Sequence, residues 1–335
     1  MPKTEIHLHL EGAIPIGTLW ELIEEHGGDA SITSERELRS WFTYRDFRHF
    51  LDVWTWMTGF LRSPRDFELV AEAVARRLVD QNILYVEAFF SPSDFGRHGL
   101  LPQQIALAIR RGLARVDGVD VALIADLVRD RGPGGTAETL RAVEEVAREA
   151  GIIGIGIGGS EAAYPPGQFA SVYRRARAAG LRVTAHAGEN DGPAGVWGAI
   201  RDLEVERIGH GIRSVEDPAL VAYLVDEQLP LEVCPTSNLR TGVVTAWEQH
   251  PARVLIDAGA HVTINTDDPA MFGVDLAEEY RNLQDHFGLD DDAVRRIALA
   301  GIEATWADEA TRQRLTAAIE GWWAAEATTT RTAPG

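Results

Sequence analysis

The sequence predicts a TIM (β/α)8 barrel, an α/β fold, on three observations. Eight short apolar runs rich in β-branched residues recur along the chain, and segments of helical periodicity separate them, as in βαβ units of a parallel sheet. A length of 335 residues suits one large barrel as well as two smaller domains. Ionisable residues gather at the ends of several runs, which is where a barrel carries its chemistry. The strand count alone also fits a doubly wound open sheet.

The eight predicted strands cover residues 4–10, 84–91, 119–127, 152–157, 181–187, 207–211, 230–234 and 261–266. Between them, residues 66–81 and 136–150 have apolar side chains at helical spacing, and Gly151 closes the second of these helices. We therefore assign residues 1–326 to a single barrel domain. The polar end of the chain, residues 327–335, is predicted to be a disordered tail.

A long connection, residues 19–65, separates the first two predicted strands. It is rich in aromatic side chains, namely Trp41, Phe42, Phe47, Phe50, Trp54, Trp56 and Phe60. In a barrel this connection lies over the C-terminal face, so it is predicted to form a lid that packs on a flat ligand. The alternative is that the aromatic residues attach extra helices to the barrel.

Composition excludes several classes of partner. The formal charge of -19, from 51 acidic and 32 basic side chains, would repel nucleic acid and anionic membrane surfaces. The single cysteine, Cys234, excludes an internal disulfide, a CxxC redox pair and a multi-thiolate metal site, and it fits a reducing cytoplasm. No signal-peptide pattern or membrane-spanning run is found in the sequence, so a cytoplasmic location is expected.

Four predicted strands end in ionisable side chains. These are His7 and His9 in HLHLEG, His186 and Glu189 in THAGEN, His210 in RIGHG, and Asp267 and Asp268 in NTDDP. Because side chains alternate along a strand, the first two histidines point to the same side. Taken singly, each motif could be a surface histidine, a turn or a helix cap. Their clustering on one rim predicts a common site.

The residue types at this rim suit a metal ion. Three imidazoles and a carboxylate are typical of Zn²⁺, which lowers the pKa of a bound water toward ~7. The first-strand pair, His186 and one of the adjacent aspartates form the natural ligand set. A second metal held by a modified lysine is not expected, because Lys3 is the only lysine in the chain. We therefore expect one metal ion per chain, with the remaining carboxylates and His210 free for acid–base work.

Five motifs, HLHLEGAIP, HAGEN, RIGHG, CPTSN and NTDDP, occur in this order at predicted strand ends. Together they resemble the adenosine deaminase family of zinc barrels, from residue 4 to about residue 310. The resemblance implies hydrolytic deamination of a small-molecule purine nucleoside. It also implies the following roles: His7, His9, His186 and Asp267 bind one Zn²⁺ ion; Glu189 protonates the ring nitrogen next to C6; His210 orients and deprotonates the attacking water; Asp268 hydrogen-bonds N7; and the Gly159 backbone N–H meets N3.

The segment after the fourth strand departs from the usual family pattern. Adenosine deaminases carry a DLAGDE-like segment there, whereas this chain reads GIGGSE, with Gly156 and Ser160 in place of aspartates. The flanking PPGQF and HAGENDGPAGVW resemble the bacterial branch that includes adenine deaminases and 6-amino-6-deoxyfutalosine deaminases. Glu11 matches an acidic residue on the ribose 5′ side of nucleoside deaminases, and its alternative interpretation is a surface carboxylate.

The substrate expected from these features is 6-amino-6-deoxyfutalosine, ahead of adenosine and then adenine. The segment LVRDRGPGG is expected to place Arg129 or Arg131 at the rim, and the lid adds Arg45, Arg48 and Arg62. Futalosine-type substrates carry a carboxyphenyl group on the 5′ side, which a rim arginine could pair. Alternatively, these arginines only balance an acidic surface. The competing functions are a barrel hydrolase that opens a cyclic amide or ester, and a nucleoside-binding protein without activity.

Overall fold

Eight parallel strands form the centre of the molecule in a computed structural model that describes residues 1–332, with side chains for residues 1–326. The strands are β1 Lys3–His9, β2 Ile83–Phe90, β3 Asp120–Asp126, β4 Ile152–Gly156, β5 Arg182–Ala187, β6 Arg207–His210, β7 Leu231–Val233 and β8 Val262–Ile264. Each strand pairs with its neighbour in sequence order from β1 to β8. All eight predicted strands are therefore confirmed.

The sheet closes on itself between its first and last strands. Leu8 and Asp267 form a parallel bridge. The His9 backbone N–H donates to the Asp267 carbonyl at 2.7 Å, and the Asp267 N–H donates to the His7 carbonyl at 3.0 Å. This closure confirms the (β/α)8 barrel and excludes an open doubly wound sheet. It also brings His7 and His9, on the first strand, into direct contact with Asp267, which follows the last strand.

Helices surround the barrel. They are α1 Ile16–Glu25, α2 Glu35–Trp41, α3 Phe47–Thr58, α4 Pro64–Asp80, α5 Pro102–Leu113, α6 Gly132–Ala150, α7 Ala170–Ala178, α8 Pro193–Gly198, α9 Pro218–Glu227, α10 Pro235–Arg240, α11 Ala252–Asp257, α12 Pro269–Phe272, α13 Leu276–Asp285, α14 Asp291–Glu303 and α15 Glu309–Thr332. Helix α15 continues past residue 326, where the disordered tail is predicted to begin. The last three residues of that predicted tail, 333–335, lie outside the described residues. Within residues 1–332, no helix combines the length and apolar character needed to cross a bilayer.

Helix α4 shows how local sequence sets these boundaries. Ser63 accepts from the Asp66 backbone N–H, and the Asp66 side chain accepts in return from the Ser63 backbone, which makes a capping box next to Pro64 at the first helical position. Downstream, Phe67 and Val74 at helical spacing are buried. The helix is thus positioned by its cap and held by its apolar face.

The connection between β1 and β2 packs on the barrel and also reaches the cleft. Trp41 and Trp56 pack with ring centroids 4.6 Å apart, and Phe50 packs on Phe272 of α12 at 5.2 Å. The first contact joins two inserted helices, and the second attaches α3 to the barrel. The face of α3 that carries Phe47 and Trp54 lines the cleft over the strand ends. The insertion therefore covers the site and is itself packed in place.

A buried carboxyl group on β1 should make stability depend on pH. The Glu5 carboxylate accepts hydrogen bonds from the backbone N–H and hydroxyl of Thr266. Burial raises the pKa of Glu5 to about 7. A raised folded-state pKa means that the neutral acid is favoured, so stability is greatest below the unfolded-state pKa and falls as pH rises through about 7.

Glu5→Gln is therefore expected to stabilise the protein at pH 8, by up to about 3 kcal/mol, and to have little effect at pH 5. Glutamine keeps the acceptor for Thr266 without the buried charge. Urea unfolding at the two pH values measures the difference. The exposed Glu216 provides the control, Glu216→Gln, in which this gain should be absent. Equal destabilisation of Glu5→Gln at both pH values would show that burial of the charge is not what costs stability.

Candidate active site

A cleft that is open to solvent lies at the C-terminal ends of the strands. It is lined by His9, Phe47, Phe50, Leu51, Trp54, Ser91, Asp94, Asp126, Val128, Gly158, Gly159, His186, Glu189, His210, Thr241, Asp267 and Asp268. Most of the side chains predicted to share one site are thus brought together. His7, Glu11 and Arg129 are outside this lining, and His7 lies directly beneath it, with its ring 4.6 Å from that of His186.

The spacing of the buried donor atoms fits a metal ion. His9 Nε2 lies 3.2 Å from His186 Nε2 and 3.4 Å from Asp267 Oδ1, and His7 Nε2 lies 3.7 Å from the same oxygen. Ligand atoms around a tetrahedral Zn²⁺ ion are separated by about 3.3 Å. In addition, His7 Nε2 is buried without a hydrogen-bond partner among the described residues. These atoms would hold a zinc ion with little rearrangement.

His7 is oriented toward this position from below. Its Nδ1 contacts Glu232 Oε2 at 2.7 Å, and the other Glu232 oxygen lies 2.7 Å from Arg207 Nε. An imidazole that donates through Nδ1 to a carboxylate leaves its Nε2 lone pair for a metal. Burial alone would lower the pKa of His7, but its contacts with Asp267 and Glu232 raise it to about 10. Glu232 was missed in the sequence, where its only signal is a charge within the apolar run PLEVC.

Two sets of four residues could bind the ion. His7, His186, His210 and Asp267 each offer a donor atom within 4.8 Å of the others, whereas the resemblance names His9 in place of His210. Ser237 Oγ donates to Asp267 Oδ2 at 2.7 Å, so Oδ1 is the oxygen left for a metal. Because Oδ1 faces His7 and His9 while His210 faces Oδ2 at 3.7 Å, the geometry favours the set with His9.

Glu189 is held as a buried acid next to this cluster. Burial, reinforced by the charges of Asp267 and Glu161, raises the pKa of Glu189 well above its usual range. Asn190 Nδ2 donates to Glu189 Oε2 at 2.9 Å, which leaves Oε1 to carry the proton. A protonated carboxyl group at neutral pH is suited to general acid catalysis.

The loop that carries Glu189 is anchored by a second carboxylate. Glu161 accepts from the backbone N–H groups of Gly188 at 2.7 Å, and of Glu189 and Asn190 at 3.1 Å each. Three such bonds hold the HAGEN turn rigidly at the end of β5. Sequence reasoning did not assign Glu161, although it is the glutamate that ends GIGGSE.

Asp268 is the second buried acid of the cleft. Burial and the neighbouring Asp267 raise the pKa of Asp268 well above its usual range, and Oδ1 has no hydrogen-bond partner among the described residues. A Cβ atom added at Gly12 would lie 1.7 Å from this oxygen. The glycine of HLHLEG therefore makes room for Asp268.

Two site residues have strained backbones. His210 and Asp267 have φ values of +61° and +65°, in the left-handed region that β-branched and bulky side chains avoid. Each such residue costs about 1–3 kcal/mol and persists only where its surroundings determine it. In this barrel both residues stand at strand ends and aim their side chains into the cleft.

Arg129 does not lie at the rim, which corrects the expected placement. It is 1% exposed, and its guanidinium donates to the backbone carbonyls of Ile157, His186 and Tyr164. Those bonds tie β4 to β5 beneath the cleft, so no part of the guanidinium is presented to a ligand. Arg131, the other arginine of this segment, is half exposed and pairs at 2.9 Å with Asp94, which lines the cleft.

The remaining predicted contacts differ in their exposure. Gly159 lines the cleft with a φ of +104°, and a Cβ atom there would lie 2.1 Å from Asp130 Oδ2. Glu11 is 1% exposed, so it is not a surface carboxylate. Its Oε1 accepts from the Ser91 backbone N–H at 2.9 Å, and burial raises its pKa to about 8. Glu11 therefore supports Ser91, which does line the cleft.

The departures at GIGGSE have a packing reason. A Cβ atom at Gly156 would lie 2.5 Å from the Phe89 ring, and that ring stacks on His9 at 5.0 Å. An aspartate at residue 156 would displace Phe89 from the imidazole. Ser160 instead hydrogen-bonds Asp130 through both its hydroxyl, at 2.6 Å, and its backbone N–H, at 2.8 Å.

Comparisons with known proteins agree with this geometry. The family model described as Adenosine deaminase matches residues 2–322. An aminodeoxyfutalosine deaminase from Streptomyces avermitilis is 37% identical over 92% of this chain and 87% of its own. An adenine deaminase from Bordetella avium is 36% identical over 89% of this chain and 95% of its own. An amidohydrolase from Burkholderia ambifaria, solved with bound Zn, superposes with a TM-score of 0.90 at 28% identity, covering 99% of this chain and 93% of that one.

Proposed function

Because this chain belongs to the adenosine deaminase family and is a hydrolytic deaminase of adenine-related substrates, we propose that it acts on the 6-amino group of an adenine nucleoside, with one zinc ion per chain. The observation that carries the proposal is the buried Glu189, whose pKa is raised well above its usual range, beside a cluster of imidazole and carboxylate groups with metal-ligand spacing in a cleft with an aromatic wall. The family match and the deaminase relatives favour this reaction over the opening of a cyclic amide or ester.

His7, His9, His186 and Asp267 would hold the zinc ion. A bound zinc ion lowers the pKa of water and so supplies a nucleophile at neutral pH. Asp267 can serve as a charged ligand: burial alone would raise its pKa, but the neighbouring His7, His210 and His9 hold the pKa of Asp267 well below its usual range. The described residues present no thiolate at the site, so the ligand set is imidazole and carboxylate alone.

The chain's own residues account for the proton transfers. Glu189 gives its proton to the ring nitrogen next to C6, which makes C6 electrophilic enough for water to add. A C–O bond forms at C6, and the C–N bond to the amino group then breaks. One proton of the water passes through Asp268 to the departing amino nitrogen, and the other returns to Glu189 to replace the proton now on the ring nitrogen, so that ammonia leaves and the 6-oxo purine remains. Asp268 also hydrogen-bonds N7, and the Gly159 N–H meets N3.

We place 6-amino-6-deoxyfutalosine ahead of adenosine as the substrate. Its carboxyphenyl group suits two features at the cleft, the aromatic face of Phe47, Phe50 and Trp54 and the half-exposed guanidinium of Arg131. The aminodeoxyfutalosine deaminase relative supports this choice. Adenine is an alternative substrate, because Asp94 and Asp126 line the cleft and could accept hydrogen bonds from a free base.

Arg131 gives a test of the substrate. Arg131→Ala is expected to lower kcat/KM for 6-amino-6-deoxyfutalosine by about 3- to 10-fold, the scale of a partly exposed ion pair. Adenosine and adenine should be unaffected, because neither carries a carboxylate. Ammonia release is measured for all three substrates, with the exposed Arg39→Ala on the inserted helix α2 as the control. A wild-type preference for adenosine, with every ratio unchanged in Arg131→Ala, would overturn the futalosine assignment.

A further inference from the structure

A buried histidine behind the site is not used by the proposed chemistry. His250 is 3% exposed, and its ring packs on Phe287 with centroids 5.4 Å apart. The backbone N–H of Ala252 donates to its Nδ1 at 3.1 Å. A backbone amide can only donate, so His250 Nδ1 is an acceptor. Burial lowers the pKa of His250 to about 4, and the neutral ring therefore carries its proton on Nε2.

This proton sets the orientation of a neighbouring amide. His250 Nε2 lies 3.3 Å from Asn238 Oδ1, and since Nε2 carries the proton it donates to that oxygen. The Asn238 amide is therefore oriented by its partner, with its nitrogen on the opposite side. The Asn238 main chain is also held, because the Val244 backbone N–H donates to its carbonyl at 2.9 Å.

The amide nitrogen in turn contacts the histidine of the cleft. Asn238 Nδ2 lies 3.3 Å from His210 Nδ1, and an amide nitrogen can only donate. His210 Nδ1 is therefore an acceptor, and the proton of the neutral ring lies on Nε2. That nitrogen faces Asp267 Oδ2 at 3.7 Å and Glu189 Oε2 at 3.8 Å. Each hydrogen bond in this chain, from the Ala252 backbone N–H through His250 and Asn238 to His210, is therefore donated toward the site.

We propose that His250 and Asn238 are positioning residues that fix His210 in the Nε2–H tautomer, so that His210 is a hydrogen-bond donor into the cleft. We call this chain of hydrogen bonds from His250 through Asn238 to His210 the relay. A nitrogen that carries a proton cannot ligate a metal, so the relay assigns the fourth ligand position to His9. It also assigns His210 to orienting the attacking water by donation, with proton removal left to a carboxylate. The catalytic consequence rests on the proposed deaminase function, whereas the tautomer does not.

The tautomer can be measured without substrate. In protein labelled with ¹⁵N-histidine, two-bond ¹⁵N–¹H correlation spectra distinguish a protonated ring nitrogen from an unprotonated one. We expect His210 to show a protonated Nε2 and an unprotonated Nδ1, with and without added zinc, and His250 to show the same pattern. Signals are assigned by comparison with His210→Asn and His250→Gln. An unprotonated Nε2 on His210 in the wild type would overturn the proposal by itself.

Asn238→Asp reverses the relay with little change in size. A carboxylate accepts from both histidines, so the His210 proton should move to Nδ1 and leave Nε2 unprotonated. We expect kcat to fall by about 10-fold or more while KM and zinc content stay near wild type. An unchanged His210 tautomer in a folded Asn238→Asp protein would contradict the proposal.

The outer residue of the relay offers a rescue test. His250→Gln can still donate to Asn238 Oδ1 and should keep the wild-type His210 tautomer, whereas His250→Phe should lose it. His286→Phe is the control, because that ring stacks on Trp247 at 4.4 Å, away from the cleft. Equal spectra for the Gln and Phe variants would show that His250 only fills space. If no substrate is deaminated but the tautomers respond as expected, the proposed function fails and the relay stands.

Discussion

Glu189→Gln is expected to lower kcat by about 10²-fold or more and to leave the zinc content unchanged. Glutamine keeps the size of the side chain and can still accept from Asn190, as Glu189 Oε2 does at 2.9 Å. It has no acidic proton to give to the purine ring. Burial and the charges of Asp267 and Glu161 raise the pKa of Glu189 well above its usual range and so favour its protonated form, and the variant removes that proton donor.

Steady-state kinetics and metal analysis on the same preparation measure this effect. The control is Glu216→Gln, an exposed carboxylate that pairs with Arg213, and it should leave both kcat and zinc unchanged. The kcat of the wild type should also fall as pH rises through the pKa of Glu189, because the deprotonated carboxylate cannot donate. If Glu189→Gln lost zinc in step with activity, Glu189 would be a ligand instead of an acid.

His186→Ala should abolish most zinc binding and reduce kcat/KM by roughly 10³-fold or more, since a catalytic metal supplies several kcal/mol of stabilisation. His186 Nε2 lies 3.2 Å from His9 Nε2, and burial together with the charges of His7 and His9 lowers the pKa of His186 well below its usual value. A neutral imidazole presents the lone pair that a metal needs. Removing it takes one ligand from a set of four.

Metal content per chain, measured by atomic spectroscopy after extensive dialysis, gives the result. Wild-type protein should hold close to one zinc ion, and the His286→Ala control should hold the same amount, because His286 stacks on Trp247 outside the cleft. Two tightly held ions per wild-type chain would rule out the mononuclear site. Full zinc retention in His186→Ala would remove His186 from the ligand set.

Several features of this protein were accessible from local sequence patterns. The eight apolar runs predicted the eight strands because the strands of a parallel sheet are buried on both faces and are therefore largely apolar. Residues at the ends of those runs converge because parallel strands present their carboxyl ends at one face. His186, His210 and Asp267 were found in this way, without knowledge of any contact between them.

The residues that hold the site side chains in place could not be predicted in the same way. Glu232 orients His7 from 225 residues away, and the Asn238 amide reaches His210 from a different strand end. Glu161 holds the turn of Glu189 by accepting hydrogen bonds from backbone N–H groups. Every residue except proline has such a group, so the residue types of the turn do not indicate this contact. In each case the partner is chosen by the fold, and neither residue's immediate neighbours indicate it.

By itself the sequence determined the barrel, the rim that carries the chemistry and the residue types able to bind a metal, because these follow from periodicity and from the ends of strands. Only the tertiary structure decided which atoms of those residues are free. It placed Arg129 under the cleft on three backbone carbonyls and left Arg131 half exposed beside Asp94. The physical reason is that a charged side chain's role depends on whether its hydrogen bonds are satisfied by the protein, and those bonds form between strands that only the closed barrel brings together.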